Sequence, residues 1–537
     1  MAEPAGSEFP VTWERPSDPA LSWEFDDMHT PLPLAPLAGD YSRMIAHGIA
    51  YRFRHFGLPI RFHCRVINHF AYFADELLAP ESDLPEIRQR SIEQRRAHAQ
   101  HVRRYWEEEV LPVLRETYAW MRAAPVETAS LAEVAAIWEE AWARARRLWE
   151  LHFMTNAGSY QSLDDLADLY ESLVPGARPD EGLSLVQGLP NDLHSVQRDL
   201  YRLAEQARAS PGVAERIIQD PHRAIAALPR VQGGGTFLAA LQNFLATHGH
   251  LGQPFDDLAY PSWGDEPTLL LTELRKRLLS PDEDPERRRQ RQAAQANALA
   301  ASVRARLQER LDDLRRFEEA LALALEAGPL TEGHNYWLDR MLQAHVRRLA
   351  LRVGARLVSA NALADAADVF FLYAAEVPTL LREPAGRRAE VAGRRADLEQ
   401  WRGVKPPKTL GKPPPPPPPS RFERPPQEQS EDRLLRGTGA CAGMGRGPAR
   451  IVVALEDFAR VQSGDVLVCP SSNPSWVPLF GIIAGLVTNT GGVLSHAAVV
   501  AREFGVPAVV GTGVATERLR DGQLVEVDGT AGEVRLL

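Results

Sequence analysis

The sequence predicts a multidomain protein: a mainly α-helical N-terminal body followed by a smaller C-terminal α/β domain. Three observations carry this reading. Over residues 1–401 apolar side chains recur at helical spacings, and strand-like alternation is nearly absent. The segment "VKPPKTLGKPPPPPPPSRFERPPQEQSED" then breaks every helical pattern and offers nothing to a core. Beyond Leu434 the texture changes to short β-branched runs divided by glycine, "ARIVVAL", "DVLVCP", "GLVTN", "PAVVG" and "LVEVDG", with one good helix among them. The expected boundaries are a body at 1–401, a Pro-rich flexible linker at 402–432 and a domain at 433–537.

Each element follows from its pattern. From Glu81 to Ala124 the chain is charged and helix-forming, with Ile87, Val102, Trp106, Val110, Val113 and Leu114 as its apolar positions. Leu131–Phe153, Leu193–Ala209, Phe237–His248 and Thr268–Leu279 repeat the helical pattern. Pro285–Ala327 reads as one extended helix and Asn335–Val358 as another. In "PSDPALSWEFDDMHTPLPLAPL" the side chains of Trp23, Phe25 and His29 stand where a tail is usually polar, so this segment is expected to pack on the body near its site. Seven consecutive prolines, Pro413 to Pro419, suit a polyproline II rod of roughly 20 Å at about 3.1 Å per residue.

Composition excludes several function classes. A chain of 537 residues is too long for one core and suggests about two to four domains. Its net charge is −10, so no basic field is present to recruit nucleic acid or anionic lipid. The longest apolar runs, such as Val477–Val487, fall short of the roughly 20 residues of a membrane span, and the N-terminus lacks a basic start and apolar core. A soluble, cytoplasmic protein is expected, with no nucleic-acid or membrane partner. Cys64, Cys441 and Cys469 lie far apart and form neither a disulfide framework nor a zinc pattern.

One stretch carries chemistry: "TNTGGVLSHAAVVAREFGVPAVVG", Thr488–Gly511. It reads as a strand exit, a glycine pair, a helix and a second buried strand. Gly491 and Gly492 permit backbone conformations closed to other residues, Ser495 is a natural N-cap, and His496 begins the helix. Free N–H groups and the positive end of the helix dipole favour an anion there. Such a place suits a histidine that accepts a phosphoryl group and carries it, although a lone histidine more often just caps its helix.

The stretch resembles the active segment of the PEP-utilising enzyme mobile domain, the phosphohistidine swivelling domain. Thr488, Gly491, Gly492, Ser495, His496, Ala501, Arg502, Glu503, Gly505, Pro507 and Ala508 all fall on that pattern. "SGDVLVCPSSNPSWVPLF" and "LRDGQLVEVDGTAGEVRLL" are similar to its flanking strand and closing hairpin. The resemblance implies that His496 is phosphorylated, that Gly491, Gly492 and Ser495 form the phosphate-binding loop, and that Arg502 is a candidate for the phosphoryl oxygens. An exposed helix arginine paired with a carboxylate is an equal reading of Arg502. Upstream, "FLATHGHLGQPFDDLAYPSWGDEP" and "GARLVSANALADAADVFFLYAAEV" are similar to the helical region of rifampin phosphotransferases. "LTEGHNYWLDRML" is similar to stand-alone relatives such as the phenylphosphate synthase large subunit. No Gly-rich nucleotide lobe and no (β/α)₈ domain is readable.

These parts imply a dikinase-type phosphotransferase, a kinase-like transferase component that receives its phosphoryl group from a separate ATP-binding subunit. ATP and magnesium are expected on that partner, with no tightly bound cofactor here. The mobile domain then delivers the group to a small hydroxylated, possibly aromatic acceptor in the body. Transfer needs in-line positioning and a base for the hydroxyl proton. Glu332, His334 and Asp339 are candidates beside Tyr336 and Trp337; His248, His250, Asp256 and Asp257 form a second group. Metal binding is not expected, since His248 and His250 lack a second ligand pair. Two other classes stay open: a non-catalytic binding or regulatory protein that keeps the swivelling fold, and a self-sufficient enzyme with an unrecognised ATP site.

Overall fold

The computed structural model describes residues 9–177, 181–252, 256–279, 284–413, 433–453, 457, 460–472, 476–493 and 495–537. Most of the proline-rich expectation, at 414–432, lies outside the described residues. A helical body and a C-terminal α/β domain are both present. No helix among the described residues is long and apolar enough to cross a membrane.

Helix α1 (Pro36–His55) crosses α2 (Leu131–Leu173) so closely that a Cβ on Gly48 would lie 2.6 Å from the Trp149 carbonyl oxygen. A capping box starts α2: the Ser130 hydroxyl accepts from the Glu133 N–H, and Glu133 accepts from the Ser130 N–H. The sequence pattern ends this helix at Phe153, yet it continues to Leu173. The reason is a buried polar stretch that hides the period. Thr155 and Ser162 satisfy their hydroxyls on the carbonyls of Leu151 and Gly158, one turn back, and so enter the interior at little cost.

Helix α3 (Asp192–Arg208) leads to a helical hairpin, α4 (Pro285–Leu307) and α5 (Leu311–Ala327). The single long helix expected over Pro285–Ala327 is therefore two. Folding back lets Val303 and Leu307 bury against Phe317 and Leu321, which one straight rod would leave wet. Next come α6 (Leu330–His334), a π-helical turn (Asn335–Arg340) and α7 (Met341–Ser359).

The near absence of strands expected for the body needs correction. β1 (Ser22–Phe25), β2 (Ile60–Ile67), β3 (Phe70–Leu77) and β4 (Thr409–Gly411) form an antiparallel sheet in the order β2-β3-β1-β4. The β2–β3 turn uses Asn68 and His69 at φ 49° and 70°, left-handed positions usually signalled by glycine, so the hairpin lacks its common marker. β4 comes from far along the chain, where local pattern carries no information about its partner. It also moves a boundary: the body continues past Trp401 to Lys412, whose N–H bonds the Leu21 carbonyl, so the first part of the expected 402–432 linker belongs to the sheet.

The C-terminal domain is one eight-stranded sheet. It comprises β5 (Leu434–Arg436), β6 (Thr438–Cys441), β7 (Met444–Ile451), β8 (Val466–Cys469), β9 (Gly485–Thr488), β10 (Ala508–Val510), β11 (Leu524–Asp528) and β12 (Glu533–Leu536). The order is β5-β12-β11-β7-β8-β9-β10-β6, with β7-β8-β9-β10 parallel and the flanking pairs antiparallel. β8, β9 and β10 are buried throughout, as parallel strands covered on both faces require. Helix α8 (His496–Phe504) joins β9 to β10, which places its first turn outside the carboxyl ends of the parallel strands, where α/β sheets bind ligands.

The N-terminal strand is tied to the body by a buried ion pair. Arg65 donates from Nε and NH2 to both carboxylate oxygens of Asp18, at 2.9 and 3.1 Å, and lies over the ring of Trp23. Removing one partner strands the other charge in the interior, so Arg65→Met should destabilise the body by about 3–5 kcal/mol. Pairing it with Asp18→Asn should recover much of that loss. Denaturant midpoints of the single and double variants check both statements.

Candidate active site

His496 stands where local folding rules put it. Ser495, at φ −63° and ψ 154°, caps α8 and accepts from the Ala498 N–H, leaving His496 as the first helical residue. The preceding loop needs Gly491 at φ 112°, where a Cβ would meet Ser495 Oγ at 2.8 Å. Neighbouring loops hold it: Thr512 donates twice to the Thr488 carbonyl, and Asn489 exchanges hydrogen bonds with Thr516. At the other end Gly505 takes the left-handed conformation, and the Val506 N–H bonds the Ala501 carbonyl in a Schellman-type stop.

The first turn of α8 is pressed against the body. His496 Nδ1 lies 3.3 Å from Glu332 Oε1, and the Glu332 side chain is only 4% exposed. Glu332 lies in the short helix that runs directly into the π-helical turn, an irregularity often found at functional sites. Two turns along α8, Glu503 shares the His496 face and accepts from Asn191 Nδ2 at 3.2 Å. Gln292 donates to the Arg502 carbonyl at 2.6 Å, the Arg288 guanidinium covers the Phe504 ring, and Val493 enters the apolar cluster of Leu163, Leu166 and Tyr170.

Behind Glu332 lies a buried polar cluster. His334 is 1% exposed, donates from Nδ1 to the Leu330 carbonyl, and meets the His152 ring edge-on at 4.7 Å. Burial, reinforced by His152, pushes the His334 imidazole down to about 4, so it is neutral at pH 7 with Nε2 as acceptor. His152 Nδ1 is 2.8 Å from Asp339 Oδ1. Burial would raise the Asp339 carboxyl, but His152 and Arg340 outweigh it and leave it lowered. Burial, then the Glu332 charge, raises the Tyr160 hydroxyl.

The expected site residues therefore separate. Glu332, His334 and Asp339 are brought to the His496 side of the body. His250 packs edge-on to Tyr336, and Asp257 accepts from the Ala259 N–H; neither makes a described contact with His496 or Glu332. Burial pushes Asp257 up to about 6 and His250 well down. His248 bridges Tyr336 and Asp199, and Trp337 donates from Nε1 to Asp192. Arg502 is buried and donates from NH1 to the Ala440 carbonyl on β6, which binds the helix to its own sheet. The N-terminal segment does reach this region: the Asp256 N–H bonds the His29 carbonyl, and Asp256 pairs with Arg340. Sequence reasoning missed His152, Tyr160, Asn191 and Gln292, which lie outside every motif. Among the described residues no cluster of three or more His, Cys, Asp or Glu could hold a metal ion.

Two family matches meet at this contact. Residues 461–532 match the PEP-utilising enzyme mobile domain, and residues 153–332 match the rifampicin phosphotransferase fourth domain. The chain carries a PEP-utilising enzyme mobile domain, and its body is similar to that of the rifampicin phosphotransferases. It is 32% identical to the chondramide synthase cmdD of Chondromyces crocatus, over 99% of this chain and 14% of that protein. It is 26% identical to the uncharacterised phosphotransferase YvkC of Bacillus subtilis, over 72% of this chain and 47% of that one. With the rifampicin phosphotransferase of Streptomyces sviceus it shares 30% identity over 63% of this chain and 39% of that protein. The chain thus spans less than half the length of each of these relatives.

Glu503 gives the seam a pH dependence. Burial, then the Glu332 charge, pushes its carboxyl up to about 7 from an ordinary 4.5, against the opposing Asn191 hydrogen bond and Arg502. The docked form is then the one that binds the proton, so docking is strongest at low pH and weakens as pH rises from about 4.5 through about 7. Amide protection factors of Val499–Phe504, taken relative to the intrinsic base-catalysed exchange rate, should fall over that window. Glu503→Gln should flatten the response.

Proposed function

We propose that this chain is the transfer component of a dikinase-type phosphotransferase. His496 takes a phosphoryl group from ATP held on a separate subunit, with magnesium supplied there, and passes it to a small hydroxylated acceptor at the body. One observation supports the reading above all: the motif histidine at a helix N-terminus stands 3.3 Å from a buried carboxylate of another domain. A histidine that merely capped its own helix would have no need of that partner.

Transfer then runs in two half-reactions. At the distant site the loop Gly491, Gly492, Ser495 and the first-turn N–H groups cradle the incoming phosphoryl oxygens. At the body the acceptor hydroxyl attacks phosphorus in line, and its proton passes to His334, which is neutral and offers Nε2. Asp339 and His152 hold that imidazole in place, and Trp337 supplies an aromatic wall. Arg502 acts by fixing α8 on its sheet.

The separation is testable. With the ATP-binding partner and labelled ATP, the chain should acquire an acid-labile, base-stable label that His496→Ala abolishes. His334→Ala should accept the label yet discharge to acceptor about 10²–10⁴ times more slowly, the usual worth of a general base. Normal discharge moves the base to another residue, and label acquired from ATP with no partner present removes the need for one. Because the domain must travel, deleting most of 413–425 should slow turnover while both half-reaction sites stay folded. Turnover that is unaffected argues for a fixed domain.

A further inference from the structure

The contact between His496 and Glu332 has a direction. It is Nδ1, not Nε2, that faces the carboxylate, at 3.3 Å. Glu332 Oε1 has no hydrogen bond among the described residues and is shut off from solvent, whereas its other oxygen accepts from Asn335 Nδ2 at 3.4 Å. Both ring nitrogens of His496 are likewise enclosed without a hydrogen bond. A buried acceptor and a buried ring thus face each other across a domain boundary, close but not aligned as a hydrogen bond, and a proton on Nδ1 with a small re-aiming of the ring satisfies both.

We infer that Glu332 is a positioning residue supplied by the body, which holds a proton on His496 Nδ1 and so dedicates Nε2 to the phosphoryl group. The inference rests on the transfer function proposed above and adds a regulation to it. Held this way, the phosphorylated ring is protonated on Nδ1 when it meets the acceptor. The Nε2–P bond breaks with its electron pair returning to the ring, the acceptor oxygen bonds phosphorus, and the hydroxyl proton goes to His334. Nδ1 keeps its proton throughout, so the departing imidazole is neutral, a better leaving group than an imidazolate. Away from the body no Glu332 is present, and the same N–P bond is less easily broken. The body thereby couples discharge to docking. In this discharged form Nε2 is covered, so a phosphoryl group and its acceptor require a wider seam than the one described.

Nitrogen NMR of the full chain with isotope-labelled histidine tests this, before and after charging with phosphoramidate, a small phosphoryl donor that needs no partner. Uncharged wild-type chain should show His496 protonated on Nδ1 in preference to Nε2 by about tenfold or more. Charged chain should carry phosphorus on Nε2. Glu332→Ala should lose the single-tautomer signature and divide the phosphoryl group between both nitrogens, while Glu332→Asp restores part of the preference. Unchanged amide spectra of the C-terminal domain exclude misfolding as the cause. A wild-type ring protonated on Nε2, or identical ring signals in Glu332→Ala, overturns the inference. Failure of phosphoramidate to charge His496 counts against the transfer function itself, and the uncharged comparison still decides the role of Glu332.

Discussion

A buried imidazole and a buried carboxylate, 3.3 Å apart and on different domains, constrain the rest of this molecule. Neither group tolerates burial alone, because each carries polar atoms that water would otherwise satisfy. Around them, contacts between described residues of the two domains build a seam. Asn191 reaches Glu503, Gln292 reaches the Arg502 carbonyl, and one valine side chain, Val493, enters the apolar cluster of the body.

The two sides of the seam differ in how they hold their residues. On the C-terminal side the geometry is local: a strand end, a glycine at positive φ, a capping serine and a short helix put His496 at the edge of the parallel strands. On the body side it is assembled. Glu332, His334 and Asp339 come from α6 and the π-helical turn, whereas His152 and Tyr160 come from the far reach of α2. Their protonation preferences are linked: burial and then His152 depress the imidazole of His334, and His152 supports the ionised form of Asp339 against burial. The result is a neutral imidazole at His334 and an ionised carboxylate at Asp339 within one buried cluster.

The body also shows how burial of polar side chains disguises a fold. Thr155, Ser159, Gln161 and Ser162 lie inside α2, so the helical period fades just where the helix enters the centre of the molecule. The body sheet hides for another reason. Its hairpin turn uses Asn68 and His69 in place of glycine, and its last strand arrives from Thr409–Gly411, beyond the final body helix.

By itself the sequence determined the two-part architecture, the cap at Ser495, the place of His496 and the candidacy of Glu332, His334 and Asp339, because each follows from spacing or from chemistry within a few residues. Only the tertiary structure decided that Glu332 faces the histidine, that His250 and Asp257 stand apart from it, and that Arg502 anchors its own helix to Ala440. Those outcomes depend on which face of a helix meets a neighbour from a remote part of the chain. Helical periodicity says that a face is buried, and packing alone says against what.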